Sequence, residues 1–224
     1  MIAKWLLQTF VWILGFAVVL FAPAGTLHWP GAWVFLAFMV ATGLGCGTWL
    51  AKNNPGLLAE RMRPPIQPDQ PADDKVLLGA FFLVNLVWFV VMGLVERFHP
   101  ARMPPGWQVL GLALLMVSSA FIMWVFIENT FAAAVVKVQS ERGHRVISSG
   151  PYAFVRHPMY SAAVLFMVGT ALLLGSWWGT AISPVFAILF AVRIRIEERT
   201  LMTGLSGYAD YAARVRYRLL PGVW

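Results

Sequence analysis

The sequence predicts an all-α, polytopic integral membrane bundle of about six transmembrane helices. Three observations carry this reading. The 224 residues are 59% hydrophobic and only 12% charged, about half the charged fraction of a soluble domain. The charges sit at the ends of long apolar runs and not inside them. Those runs reach the ~20 residues that a spanning helix needs. One domain, 1–224, is the natural count, with N-terminal helices in 1–127 and a more polar half from 128 to 224. The net charge of +7 does not point to nucleic acid, because the basic residues flank apolar runs. No group of residues reads as a metal site. The single cysteine, Cys46, lies in an apolar run and reads as a small buried hydrophobe; no disulfide is possible within the chain. The N-terminus does not read as a signal peptide, since its apolar run is long enough to span and no small-residue cleavage site follows it.

The elements follow in order. Residues 5–24 and 29–51 form the first two spans, joined by a short turn from Pro23 to Pro30. No Lys, Arg, Asp or Glu occurs between Lys4 and Lys52, so the pair reads as a helical hairpin. Gly43–Gly47 (GLGCG) has the look of a dinucleotide loop but follows no strand; it reads instead as a close helix contact through small residues. Asn54–Pro55 is an N-cap with its first helical residue. Leu57, Leu58 and Met62 are expected on the membrane surface, with Arg61 and Arg63 reaching for headgroups. The segment PPIQPDQPADD is expected to be an extended loop. Further spans cover 76–95 and roughly 106–127.

The uncharged run His157–Val192 holds 36 residues. One helix of that length would measure about 54 Å, nearly twice the hydrocarbon thickness of ~30 Å. It therefore reads as two short helices, about 159–174 and 180–196, turned at Gly175–Gly179. Tyr208, Tyr211 and Val215 then mark an amphipathic C-terminal helix, packed over a loop or anchored at the interface. Arg214, Arg216 and Arg218 are expected at lipid headgroups.

Orientation follows from charge. Placing Lys137–Tyr160 in the cytoplasm puts fifteen of the seventeen lysines and arginines inside; only Arg97 and Arg102 fall outside. The positive-inside rule then puts both termini in the cytoplasm, in an inner or plasma membrane.

The most polar stretch is KVQSERGHRVISSGPYAFVRHPMY, Lys137–Tyr160. It carries two of the four histidines, His144 and His157, and five charged residues. Pro151 and Pro158 interrupt any regular helix, and Gly143 and Gly150 supply turns. Near the C-terminus stand Arg193, the pair Glu197–Glu198, and Tyr208/Tyr211. Arg193 and Glu197 are i,i+4 neighbours on one helix face. Read alone, these features also fit a basic loop that sets topology and a solvated, salt-bridged helix end.

The stretch closely resembles the core motif of the isoprenylcysteine carboxyl methyltransferase family of integral membrane enzymes, G-H-x-V-x-x-x-G-P-Y-x-x-x-R-H-P-x-Y. It is met by Gly143, His144, Val146, Gly150, Pro151, Tyr152, Arg156, His157, Pro158 and Tyr160. The Arg, Glu-Glu and Tyr-x-x-Tyr elements follow in the family's order, so the resemblance covers roughly the last 100 residues. It implies S-adenosyl-L-methionine as cofactor and makes 128–224 the catalytic, cofactor-binding half. By motif position it implies cofactor contacts at Gln139, His144, Arg145, Val146, Ile147, Tyr152, His157, Pro158, Met159, Tyr160 and Glu197, with Glu198 as the alternative to Glu197. Arg193 is the candidate to hold an anionic acceptor, because a guanidinium matches a carboxylate bidentately. An acceptor that must lose a proton would call on His157 or a carboxylate.

The implied acceptor is lipid-like or prenylated, entering between helices from membrane lipid, with carboxyl O-methylation of an isoprenylcysteine as the leading reaction. Alternatives are a small thiol, an amine or phospholipid headgroup, or a nicotinamide-dependent enzyme of the membrane sterol-reductase kind. A transporter or scaffold is disfavoured because no span carries a midplane ion pair.

Overall fold

The computed structural model describes residues 1–99 and 103–224, and every regular element among them is helical. Arg102, expected outside, lies beyond the described residues. α1 (Ile2–Ala24) turns through Gly25, whose φ of 65° suits glycine, into α2 (Pro30–Asn53). α3 (Pro55–Arg61) is capped by the Asn54 side chain, which accepts from Leu57 N at 3.2 Å. α4 (Ala72–Phe98) and α5 (Pro105–Glu128) follow, then a mostly irregular strap to His157. α6 (Pro158–Leu173), α7 (Trp177–Ile182), α8 (Pro184–Gly204) and α9 (Tyr208–Arg214) complete the chain. α1, α2, α4, α5 and the α7–α8 unit are long and apolar enough to cross a membrane, and α6 is a shorter apolar helix.

Three expectations change. The second helix of the C-terminal hairpin is not 180–196. Ser176 caps a helix that already begins at Trp177, accepting from Gly179 N at 3.0 Å. The path breaks at Ser183, because Pro184 has no N–H to continue it, and then runs to Gly204. The 28 residues from Trp177 to Gly204 would span about 42 Å at helical rise. The last turns, with Glu197 and Glu198, therefore reach beyond a ~30 Å hydrocarbon layer. Second, α3 does not lie open on a membrane surface. Leu57 and Leu58 are buried against Val125, Phe126 and Ala132, and Arg61 donates to Ala132 O at 2.9 Å. Third, Ala72–Asp74 belong to α4 and not to the preceding loop.

Close contacts use small residues. A Cβ on Gly111 or Gly169 would collide with the backbone of the facing helix, so α5 and α6 meet backbone to backbone. Ser118 Oγ adds a buried bond to Ala162 O at 2.7 Å across the same pair. Gly47 of the GLGCG run faces the Trp5 ring of α1, which leaves no room for a side chain. An aromatic core of Phe16, Phe35, Trp88, Phe89, Phe186 and Phe190 joins α1, α2, α4 and α8.

The strap is tied from both sides. Buried Lys137 pairs with Glu60 of α3 at 2.7 Å, and Gln67 accepts from it at 2.9 Å. The C-terminal segment pins the start of α6, where Tyr217 O and Arg218 O accept from Arg156 N and His157 N at 2.9 and 3.0 Å. α9 packs over the strap, with Tyr208 and Tyr211 against Val138, Val146 and Tyr152.

Candidate functional site

The strap, the first turn of α6, the end of α8 and α9 enclose one cavity. His144, Arg145, Val146, Ile147, Tyr152, His157, Pro158, Met159, Tyr160, Arg193 and Glu197 all line it. The folded chain thus brings together residues from two motifs separated by a helical hairpin. Gln139 and Glu198, also expected at the cofactor, do not line it. Gln139 is fully buried beneath the strap, where its Nε2 donates to Phe131 O at 2.8 Å and its Oε1 accepts from Arg142. It holds the turn that presents His144, through Gln139 N to His144 Nδ1 at 3.2 Å.

Glu197 and Glu198 have different surroundings although they are adjacent. Glu197 Oε2 accepts from Tyr160 OH at 2.7 Å, and no described residue hydrogen-bonds its Oε1. Glu198 is saturated. It pairs with Arg156 Nε at 2.7 Å and Arg218 Nε at 2.9 Å, and it faces His157 Nε2 at 3.4 Å. Arg218 therefore braces a buried carboxylate and does not reach for lipid headgroups. His157, 4% exposed, stands between the two carboxylates, with Nδ1 3.7 Å from Glu197. Both its nitrogens face acids, so it braces the site and presents no free ring nitrogen to an acceptor.

The His144 ring stacks on Phe131 with centroids 4.6 Å apart. Burial pushes its pKa below the usual histidine value, favouring the neutral ring that accepts from Gln139 N. Burial raises the Tyr152 phenol above its ordinary range, and the neutral hydroxyl accepts from Asn129 Nδ2 at 2.8 Å. Tyr211 OH donates to Tyr152 O at 2.9 Å, so α9 fixes the strap in place.

Arg193 does not pair with Glu197 in the manner of a simple i,i+4 bridge. Its Nε donates to Asp74 Oδ1 at 3.0 Å and its Nη2 to Ala134 O at 2.7 Å, and its guanidinium lies 5.9 Å from the Tyr160 ring centre. Asp74 is fully buried and also accepts from Gln70 Nε2 and Val136 N, at 2.6 and 3.1 Å. The sequence reading missed Asp74; its one local signal is an acidic residue in the first turn of a long apolar helix.

Sequence reading also assigned no site role to Asn129, Phe131, Lys137, Arg156, Leu205 or Tyr208, all of which line the cavity. Tyr208 is the informative one. It is 4% exposed, and its hydroxyl is buried with no hydrogen-bond partner among the described residues. Burial pushes that phenol above its ordinary range, so the buried group is a neutral hydroxyl with an unused proton.

A second cavity, about 670 Å³, opens between α1 and α4. Trp12, Phe16, Phe81, Phe82, Leu86 and Phe89 make it apolar along the helices. At its inner end stand Arg61, Ala134 and Arg193. Arg193 lines both cavities and marks their junction.

Comparison with known proteins places this geometry. A family model described as phospholipid methyltransferase matches residues 107–207. The cobalt-zinc-cadmium resistance protein CzcN of Cupriavidus metallidurans is 28% identical over 66% of this chain and 70% of its own length. Protein-S-isoprenylcysteine O-methyltransferase B of Arabidopsis thaliana is 34% identical over 36% of this chain and 42% of its own length. The Schizosaccharomyces pombe protein-S-isoprenylcysteine O-methyltransferase is 32% identical over 36% of this chain and 35% of its own. The match thus spans less than half of either eukaryotic relative. A solved structure of a eukaryotic intramembrane Ras methyltransferase, isoprenylcysteine carboxyl methyltransferase, superposes with a TM-score of 0.52, covering 95% of this chain and 86% of that one at 18% identity. At that identity the likeness shows the fold, a polytopic integral membrane bundle of helices.

Proposed function

We propose that the chain is an integral membrane methyltransferase of the isoprenylcysteine carboxyl methyltransferase-like kind, a reading supported by its similarity to those enzymes and to phospholipid methyltransferases, and that it transfers a methyl group from S-adenosyl-L-methionine to a lipid-like or prenylated acceptor. Carboxyl O-methylation of an isoprenylcysteine is the leading reaction. The observation that carries this reading is the junction at Arg193, where a polar cavity meets an apolar, membrane-facing groove. A water-soluble cofactor and an apolar acceptor need separate entrances that converge on one point.

The polar cavity fits the cofactor by its own chemistry. Glu197 offers an oxygen without a protein partner to an ammonium, and Tyr160 OH fixes the other oxygen. The neutral His144 ring and the backbone of 144–147 suit an adenine edge or a carboxylate. Tyr152 and Tyr160 offer aromatic faces to a cation. The Tyr208 hydroxyl, without a partner among the described residues, is a buried donor open to a ligand in the cavity. When bound, the cofactor supplies an electrophilic methyl on a sulfonium.

The remaining work belongs to the chain. Asp74 and Ala134 O hold the Arg193 fork at the junction, where it orients an anionic acceptor toward the Tyr160 side of the cavity. A carboxylate acceptor needs no base, so positioning is the main contribution. The apolar groove excludes water from a reaction in which opposite charges cancel. Both termini and the cofactor cavity face the cytoplasm of an inner or plasma membrane, where such a cofactor is available. A phospholipid headgroup is the second reading, favoured by the family model that matches 107–207. A headgroup amine would have to lose a proton, and Glu197 is the one cavity carboxylate placed to receive it.

The test is calorimetric binding of S-adenosylhomocysteine by the full chain in nanodiscs, followed by transfer from labelled cofactor to an S-farnesylated N-acetylcysteine and to phosphatidylethanolamine. Stoichiometric binding and label in the farnesylated compound are expected. Label only in phosphatidylethanolamine would select the second reading. Binding of NADPH with no binding of S-adenosylhomocysteine would overturn both.

A further inference from the structure

Among the described residues, Arg61 is a cation without a carboxylate partner. It closes α3, and its Nη1 donates to Ala132 O at 2.9 Å and lies 3.9 Å from Met159 Sδ. The guanidinium sits 4.6 Å from the Phe126 ring centre. No described carboxylate lies within salt-bridge distance of it, because the nearby acids are engaged elsewhere. Glu60 pairs with Arg63 and Lys137, and Asp69 also pairs with Lys137. Burial, above all, disfavours the Arg61 charge, and the charge of Arg193 adds to that. Arg61 is half-buried at a cavity wall, where a guanidinium without a counter-charge is partly desolvated and gains from an anion that arrives there.

The same strap binds both arginines through its carbonyls. Arg61 bonds Ala132 O and Arg193 bonds Ala134 O. These carbonyls are two residues apart, so no more than about 7 Å of chain separates their residues. Both guanidiniums line the inner end of the α1/α4 groove. Arg61 contacts Met159 and Arg193 lies over Tyr160, consecutive positions that both line the cofactor cavity. Asp74 neutralises Arg193, which leaves Arg61 as the uncompensated charge.

We infer that Arg61 is the second cation of a two-guanidinium clamp for the anionic headgroup of an amphiphile whose apolar chain occupies the α1/α4 groove. The inference rests on reading that groove as the acceptor site. Arg193, held by Asp74, orients the anion, and Arg61 supplies the net positive charge that selects it. The recognised group is a carboxylate or phosphate next to an apolar chain. An uncharged analogue leaves the Arg61 charge unmet and binds more weakly.

The experiment measures binding to the full chain in phosphatidylcholine nanodiscs, without cofactor, using two matched pairs. The first is an S-farnesylated N-acetylcysteine against its carboxamide. The second is phosphatidylethanolamine against a diacylglycerol of the same chains. Wild type is expected to prefer the anion-bearing member of at least one pair by about tenfold or more, and R61Q to reduce that preference to threefold or less. Preference in the first pair assigns the anion to a lipidated carboxylate, and in the second to a headgroup phosphate; either upholds the clamp.

Because the preference is a ratio within one variant, general destabilisation moves both members together. Should R61Q fail to fold, R61M also removes the charge while keeping an apolar stem against Phe126, and is expected to reduce the preference to threefold or less. No preference in wild type, or an unchanged preference in the variant, overturns the clamp. S-adenosylhomocysteine binding is measured alongside. Its loss in wild type would overturn the methyl-transfer reading and leave a measured anion preference standing.

Discussion

Asp74 and Arg193, 119 positions apart, meet in a pair whose carboxylate is fully buried and whose guanidinium is largely so, with Nε 3.0 Å from Oδ1. The bond ties the first turn of α4 to α8 at the junction of the polar cavity and the apolar groove. Asp74 also accepts from Val136 N, so one carboxylate holds helix, strap and guanidinium together. Removing one member of a buried pair costs about 3–5 kcal/mol, because the partner is left buried and unpaired. Asp74→Ala is therefore expected to lower the thermal unfolding midpoint strongly in detergent, and Asp74→Asn to lower it less. Arg193→Lys keeps a charge beside Asp74 but loses the fork. It is expected to leave S-adenosylhomocysteine affinity nearly intact and depress turnover. Equal losses of affinity and turnover in Arg193→Lys would make the pair purely structural.

Adjacent carboxylates are expected to respond differently. Glu197→Gln removes the acceptor proposed for an ammonium, a charge-assisted contact of roughly 1.5–3 kcal/mol. The cofactor dissociation constant should rise about tenfold to over a hundredfold, with little change in unfolding. Glu198→Gln unpairs Arg156 and Arg218 and should unfold more readily at nearly unchanged intrinsic affinity. Calorimetry and thermal melts on both variants decide this. The reverse pattern would exchange the two roles.

The spans were legible because uncharged runs of spanning length have few other uses in a chain. The lining of the cavity was legible through the family resemblance, which marks His144–Ile147 and His157–Tyr160 in one polar stretch and Glu197 one helical turn from Arg193. Three features were not legible. The Asp74–Arg193 bond depends on how α4 packs against α8. The choice between Glu197 and Glu198 depends on helix rotation, since neighbours on a helix point about 100° apart. The break at Ser183–Pro184 was not expected, because Gly175–Gly179 reads as the whole turn although Ser176 caps a helix within it.

His144 makes a pH prediction. Burial lowers its pKa in the folded chain, so the unfolded chain takes up the proton first as pH falls, near the ordinary value of about 6.5. The stability tied to the neutral ring is complete above that pH and declines below it until the folded ring is itself protonated. Melting midpoints measured from pH 7.5 to 5 should fall toward acid. His144→Asn, which keeps an acceptor for Gln139 N, should flatten part of that fall. An identical slope in the variant would remove His144 from the pH response.

The charge distribution predicts topology. Reporters fused after residue 224 and inserted within 64–74 should be cytoplasmic, and one within 97–105 should not. A C-terminal reporter on the opposite side would invert the orientation and separate the polar cavity from a cytoplasmic cofactor.

Tyr208 offers the sharpest separation of binding from folding. Its hydroxyl is buried and unpartnered, and an unsatisfied buried polar group costs about 1–3 kcal/mol. Tyr208→Phe removes that cost while keeping the ring against Tyr211 and the strap. The ligand-free variant should therefore melt at the same temperature as wild type or higher. If the hydroxyl serves the cofactor, the same variant binds S-adenosylhomocysteine about fivefold to tenfold more weakly, the loss of one neutral hydrogen bond. Stability and affinity then move in opposite directions, which a packing residue would not produce. A variant that melts lower and binds equally well would show that the hydroxyl has a structural partner and that the cavity is read wrongly at this wall.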